Sequence, residues 1–163
     1  MKKFITALLL VCMVVLGTGS TLDAADADVD TWIPEEYQNY CVQAGEQYAI
    51  VPELLMAMME RESWGEPWVS NGACKGLMQI NEPYHKNRMI RLGVADIYDP
   101  YGNILVAADY LSDLFTEYGD MGTVLMVYNG SSHALERGET GNYTEYASSI
   151  IARTSQLERL HGK

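Results

Sequence analysis

From Leu54 to Asn81 the chain reads LLMAMMERESWGEPWVSNGACKGLMQIN, and this stretch constrains the fold more than any other. A run of apolar residues at helical spacing ends in a carboxylate, and a glycine-rich loop follows. Leu55, Met58, Met59 and Glu62 are separated by three, four and seven positions, which places them on one face of a helix. An acid therefore stands where the periodicity asks for a core residue. A carboxyl group drawn partly out of water has its charged form disfavoured, which raises its pKa and suits it to general-acid chemistry. If the helix end instead turns outward, Glu62 is an ordinary solvated glutamate. The periodicity leaves both open.

Breakers and caps divide the rest of the chain. Pro34 starts a helix running to about Tyr48 with the stripe Tyr37, Tyr40, Cys41, Ala44 and Tyr48, and Pro52 and Glu53 open the next, which Gly65 and Pro67 end. Trp64 and Trp68 flank that stop, suited either to sugar stacking or to rim packing. Ser70 to Gly76 is turn chemistry, and LMQIN is a short extended piece or one helical turn; if extended, Gln79 and Asn81 share a side. Glu82 to His85 is expected as loop, with His85 a solvated histidine beside Lys86 and Arg88. After the turn at Asp99 to Gly102, Asn103 is placed to cap a long helix ending near Tyr118. A short apolar helix then ends at Tyr128, Asn129 and Gly130. Ser131 to Gly141 is expected as a polar loop, and Asn142 with Glu145 forms a capping box for a last helix carrying Tyr146, Ile150, Ile151, Leu157 and Leu160. Five or six helices and no internal repeat predict one mainly α domain.

The N-terminus reads differently. Lys2 and Lys3 precede an apolar run from Phe4 to Leu16 and small residues follow, the pattern of a secretory signal peptide over residues 1–27, with residues 28–33 a disordered leader. The exported chain would then lie outside the cell or in its envelope. Cys12, inside the apolar run, has a poor context for lipidation. The net charge of −11 is unchanged by removal of residues 1–27, which carry two bases and two acids. Such a balance argues against nucleic acid as a partner, since phosphate binding relies on clustered Lys and Arg. Two cysteines remain, Cys41 and Cys74, and in an oxidising compartment a disulfide between them is the simple expectation. Two Cys and scattered His make no zinc spacing, so no metal or other cofactor is expected.

Four segments in order carry a family resemblance: Glu62-Ser63, GLMQI at Gly76 to Ile80, NILVAADYL from Asn103, and VYNG at Val127 to Gly130. They resemble the signatures of SLT-type lytic transglycosylases, and they extend over about residues 36 to 158. The resemblance implies a single compact lysozyme-like domain, of the goose-type lysozyme and SLT kind, over residues 34–160, with a catalytic cleft. It implies Glu62 as the catalytic acid, supported by Ser63 or Ser70, with glycan contacts from Met78 and Gln79, a Tyr128-Asn129 pair, and Tyr146 near the acid. Ala73-Cys74 stands where the family usually has Gly-Ala, and Ser131 where it often has Gly or Pro.

By the same resemblance the partner is a peptidoglycan strand, cut between N-acetylmuramic acid and N-acetylglucosamine to leave 1,6-anhydromuramic ends. A lysozyme-type hydrolase using water and a non-catalytic glycan-binding envelope protein are the rival expectations. The small size suggests a monomer that opens the wall for a secretion or conjugation apparatus, touching the membrane only through its signal peptide.

Overall fold

The computed structural model of the chain describes residues 30–131 and 133–163; the expected signal peptide, 1–27, lies outside them. Helix α1 spans Glu35–Tyr48 and α2 Pro52–Ser63. Three two-residue strands follow, β1 (Ser70–Asn71), β2 (Cys74–Lys75) and β3 (Ile80–Asn81). The remaining helices are α3 (Glu82–Leu92), α4 (Pro100–Tyr118), α5 (Met121–Tyr128), α6 (Ala134–Thr140) and α7 (Glu145–Leu160). The chain is mainly α, as the pattern predicts.

Helix α2 is buried almost all round, with every residue from Leu54 to Met59 at most 3% exposed. A helix apolar on all sides belongs in the middle of a core, and α2 packs against α1 on one side and α7 on the other. Fully burying a Leu or Met side chain is worth about 1.5–3 kcal/mol, so this row is a main source of stability. It also fixes where the C-terminal end of α2, and hence Glu62, can lie. Helix α4 supplies the second buried element, with Gly102 to Asp109 enclosed.

The three strands form one antiparallel sheet in the order β1-β2-β3, with Ser70 opposite Lys75 and Cys74 opposite both Asn71 and Asn81. LMQIN is thus neither an extended alternating segment nor a helical turn throughout. Gly76 to Gln79 make a tight turn, with Gln79 at φ +46°, and Ile80 and Asn81 pair as β3.

Several local expectations are corrected by the structure. Glu82 to His85 begin a helix, because the Asn81 side chain accepts from the Tyr84 backbone N–H and Pro83 occupies the first turn. Residues 134–140, expected as loop, form α6. Asp99 caps α4, accepting from Gly102 N–H at 2.7 Å, which frees Asn103 for another task. Thr144 rather than Asn142 caps α7, accepting from Ala147 N–H. Cys41 and Cys74 are not joined. Cys41 is sealed in the core on α1, where burial pushes its thiol up to about 12, whereas Cys74 sits partly exposed on the small sheet. Of the expected disordered leader, residues 30–33 are docked. Ile33 is buried, Thr31 Oγ1 donates to Glu60 Oε1 at 2.7 Å, and Trp32 stacks on Trp64.

Candidate active site

Glu62 is the penultimate residue of α2 and half-buried. The stripe of Leu55, Met58 and Met59 below it is fully buried, so the helix cannot rotate to bring the carboxyl into bulk water without exposing that row. Burial raises the pKa of Glu62; a hydrogen bond from the Tyr146 hydroxyl to Oε1 and the nearby Arg61 charge act in the opposite direction without cancelling it.

Tyr146 comes from the first turn of α7 and is itself buried. Desolvation and the carboxylate beside it push its own pKa far up, so it remains a hydroxyl donor at any working pH. Arg61 steadies this corner from outside: its guanidinium lies 6.0 Å from the Tyr146 ring centre and 2.7 Å from Glu145 Oε2. Both Arg61 and Glu145 are exposed, so the pair orients more than it stabilises.

The loop opposite is held by a residue whose role the sequence does not show. Asn103 is fully buried on α4. Its Oδ1 accepts from Met78 N–H at 2.7 Å, and its Nδ2 donates to Lys75 O at 3.0 Å and Ile97 O at 2.8 Å. One side chain thus ties the β2-β3 turn to the entrance of α4. Gly76 makes the approach possible, since a Cβ there would fall 2.3 Å from Asn103 Nδ2 and the residue has φ +77°. The clamp on this loop is therefore Asn103 and not a disulfide through Cys74. Tyr128, at the end of α5, adds a second tie by donating to Met78 O at 2.8 Å.

The expected site residues separate accordingly. Glu62, Tyr146 and Tyr128 come together, and the Glu62 charge acts on both tyrosines. Gln79 is half-buried beside the turn, its Nε2 donating to Gly76 O and Val69 O. Ser70, on β1, and Asn129, at the end of α5, are exposed. Met78 and Ser63 are corrections: both side chains are buried, and Ser63 Oγ donates back to Met59 O, so neither offers a side chain to a ligand. His85 is also not on the surface. It is buried with its ring 4.6 Å from Tyr110, and burial depresses its pKa to about 4. Tyr110 in turn lies 5.6 Å from Tyr128, so His85 and Tyr110 back the tyrosine that holds the loop. Among the described residues, no group of three or more His, Cys, Asp and Glu is arranged to hold a metal ion.

The geometry agrees with comparisons to known proteins. The model of the transglycosylase SLT domain matches residues 39–151. A protein named transglycosylase from Enterobacteria phage PRD1 is 34% identical over 96 residues, 58% of this chain and 35% of the phage protein. The invasion protein IagB of Salmonella typhimurium is 30% identical over 99 residues, 56% of this chain and 61% of that protein. The protein IpgF of Shigella sonnei is 31% identical over 111 residues, covering 63% and 72% of the two chains. The chain thus spans about a third of the phage protein and about three fifths of IagB. With the family match extending from α1 into α7 and enclosing Glu62, the small sheet and the Asn103 clamp, this chain belongs to the transglycosylase SLT domain family, whose fold is lysozyme-like.

Proposed function

We propose that the chain is a peptidoglycan lytic transglycosylase in which Glu62 is the single general acid and base. The observation that carries the proposal is the half-buried Glu62 at the end of α2, raised in pKa by burial and hydrogen-bonded by the buried Tyr146. Conventional glycosidases need two carboxyl groups flanking the scissile bond, about 5 Å apart for retention and 6.5–9.5 Å for inversion. Two acids near it on α2 and α7 are engaged elsewhere: Glu60 with Arg153, and Glu145 with Arg61.

With one carboxyl group the substrate must supply the rest. Protonated Glu62 donates its proton to the oxygen bridging N-acetylmuramic acid and N-acetylglucosamine as the C1–O bond breaks, and the muramoyl acetamido group stabilises the cationic centre. Glu62, now a carboxylate, takes the proton of the muramoyl C6 hydroxyl while that oxygen bonds to C1. The proton count closes, no water is consumed, and Glu62 is ready for another cycle. The Tyr146 hydroxyl stabilises the carboxylate between the two steps. Exposed Ser70 and Asn129, with Gln79, offer polar groups to the strand, while Tyr128 and Asn103 hold the loop in place.

Mass spectrometry of the soluble products from purified peptidoglycan tests the chemistry. Anhydro ends, lighter by one water than reducing ends, are expected; reducing ends alone would assign the site to a water-using muramidase, and no soluble product to a glycan-binding protein. Export through residues 1–27 and wall opening for a secretion or conjugation apparatus belong to the same proposal, supported by the basic-apolar-small pattern at the N-terminus and by similarity to a protein named for invasion. Fluorescent fusions concentrated at such an apparatus are expected, and uniform wall staining would count against this part.

A further inference from the structure

A second concavity lies beside α2, on a side that Glu62 does not share. Trp32, Trp64, Glu60, Arg61, Arg153 and Gln156 line a groove of about 620 Å3 between α2 and α7, and Glu62 is not among its lining residues. Glu60 is two positions from Glu62, about 200° around the helix. The catalytic reading therefore leaves this groove unused.

Its walls are built and held. Trp32 and Trp64 are 49% and 71% exposed, yet their rings stack with centroids 5.4 Å apart at 21°. Trp64 caps α2 with φ +57°, a conformation uncommon for a bulky residue, and the Arg153 guanidinium lies 5.6 Å from the Trp32 ring centre. Beneath them Arg153 grips both oxygens of Glu60 at 2.7 and 2.9 Å, and Thr31 Oγ1 donates to the same carboxylate. The tryptophans are thus fixed over a polar floor rather than left as a loose apolar patch.

The chemistry of the walls narrows the ligand. A buried ion pair in the floor is a poor seat for an apolar helix, because its polar atoms would be covered without gain. A bare phosphate would have to compete with carboxylates already bound to both guanidiniums, Arg153 to Glu60 and Arg61 to Glu145. A pyranose ring fits both halves: one face of C–H groups for the indoles and a rim of hydroxyl or acetamido groups for the polar side chains. We propose that the groove is a second glycan-binding site, taking a pyranose segment of a peptidoglycan strand apart from the one at Glu62. This inference rests on the reading that the substrate is a glycan strand. Arg61 belongs to both places, lining the groove while lying against the Tyr146 ring that serves Glu62. A strand held here raises the local concentration of polymer at the acid, which helps a small enzyme on an insoluble substrate.

Binding is measured in the Glu62→Gln background, where turnover plays no part. Adding Trp32→Ala is expected to weaken cosedimentation with purified insoluble peptidoglycan by about three- to tenfold, the worth of a lost aromatic stacking contact. Trp32→Tyr is expected to restore most of it, and soluble β-1,4-linked N-acetylglucosamine oligomers to displace the parent. Unchanged binding of the Trp32→Ala protein would overturn the proposal and point to a protein partner for the groove. So would a loss that comes with a lowered melting temperature and is not recovered by Trp32→Tyr. Either result leaves the product spectrum free to stand or fall by itself.

Discussion

Glu60 and Glu62 sit two residues apart on one helix, and their surroundings assign them opposite work. Glu60 is buried and fully answered, with Arg153 on both oxygens and a hydroxyl from Thr31. Glu62 is less buried, yet its direct partner is a neutral hydroxyl and the nearest cation, Arg61, is turned to Glu145. The Glu60 carboxylate is taken up by its ion pair with Arg153, whereas burial without a cation bound to the carboxyl group disfavours the charged form of Glu62 and suits it to proton transfer. The difference lies in what faces each side of α2, and not in the two residues, which are chemically identical.

The largest effect that could break this contrast is on turnover. Glu62→Gln is expected to lose about 10²- to 10⁴-fold or more in activity on purified peptidoglycan, with circular dichroism unchanged and a melting temperature no lower than the parent's. The sign follows from the raised pKa of Glu62. A carboxyl group with a folded pKa above its unfolded value favours folding at pH below the unfolded value and forfeits that contribution as pH rises through the folded one, so near neutrality its charge is a burden. Glu60→Gln should do the reverse, costing about 3 kcal/mol in chemical denaturation because Arg153 is left without its counter-ion, with a far smaller loss of turnover per folded molecule than Glu62→Gln shows.

Asn103→Ala extends the comparison to the loop and should behave as a structural loss, about 2 kcal/mol for the backbone groups it leaves unanswered. Turnover should fall with it, since the turn carrying Gln79 is freed; a stability loss without any change in activity would show that the loop does not face the substrate. Tyr146→Phe should give the smallest change, up to about tenfold in kcat, with an informative pH profile. The lost hydrogen bond lowers the pKa of Glu62, so its removal should move the alkaline limb of kcat/KM to higher pH. A shift to lower pH would mean that Tyr146 stabilises the acid form instead.

The sequence shows the catalytic helix clearly, because the spacing of Leu55, Met58, Met59 and Glu62 is a local property and burial follows it. Partners that arrive from far along the chain are invisible to that kind of reading. Asn103 looks like a helix cap, and it becomes the loop clamp because Asp99 takes the cap and the turn lies against α4. His85 looks solvated beside Lys86 and Arg88 until α4 brings Tyr110 onto its ring. Trp32 lies in a segment without periodicity, and its order depends on Trp64 and Arg153. Helix α3 was within reach: Asn81, Glu82 and Pro83 are a cap, a first-turn acid and a first-turn proline in sequence. The cysteine pairing was not, since an expectation drawn from compartment cannot see that Cys41 points into the core while Cys74 sits on the sheet.

The contrast between the two glutamates reduces to one observable, the titration of the Glu62 carboxyl group. Carbon-13 NMR of side-chain-labelled glutamate, with the Glu62 resonance assigned by its absence in Glu62→Gln, gives that midpoint directly. The midpoint is expected above the ordinary glutamate value of about 4.3. A Glu62 midpoint at or below that value would contradict it, because the surroundings of α2 would then not favour the protonated form that must donate to the glycosidic oxygen.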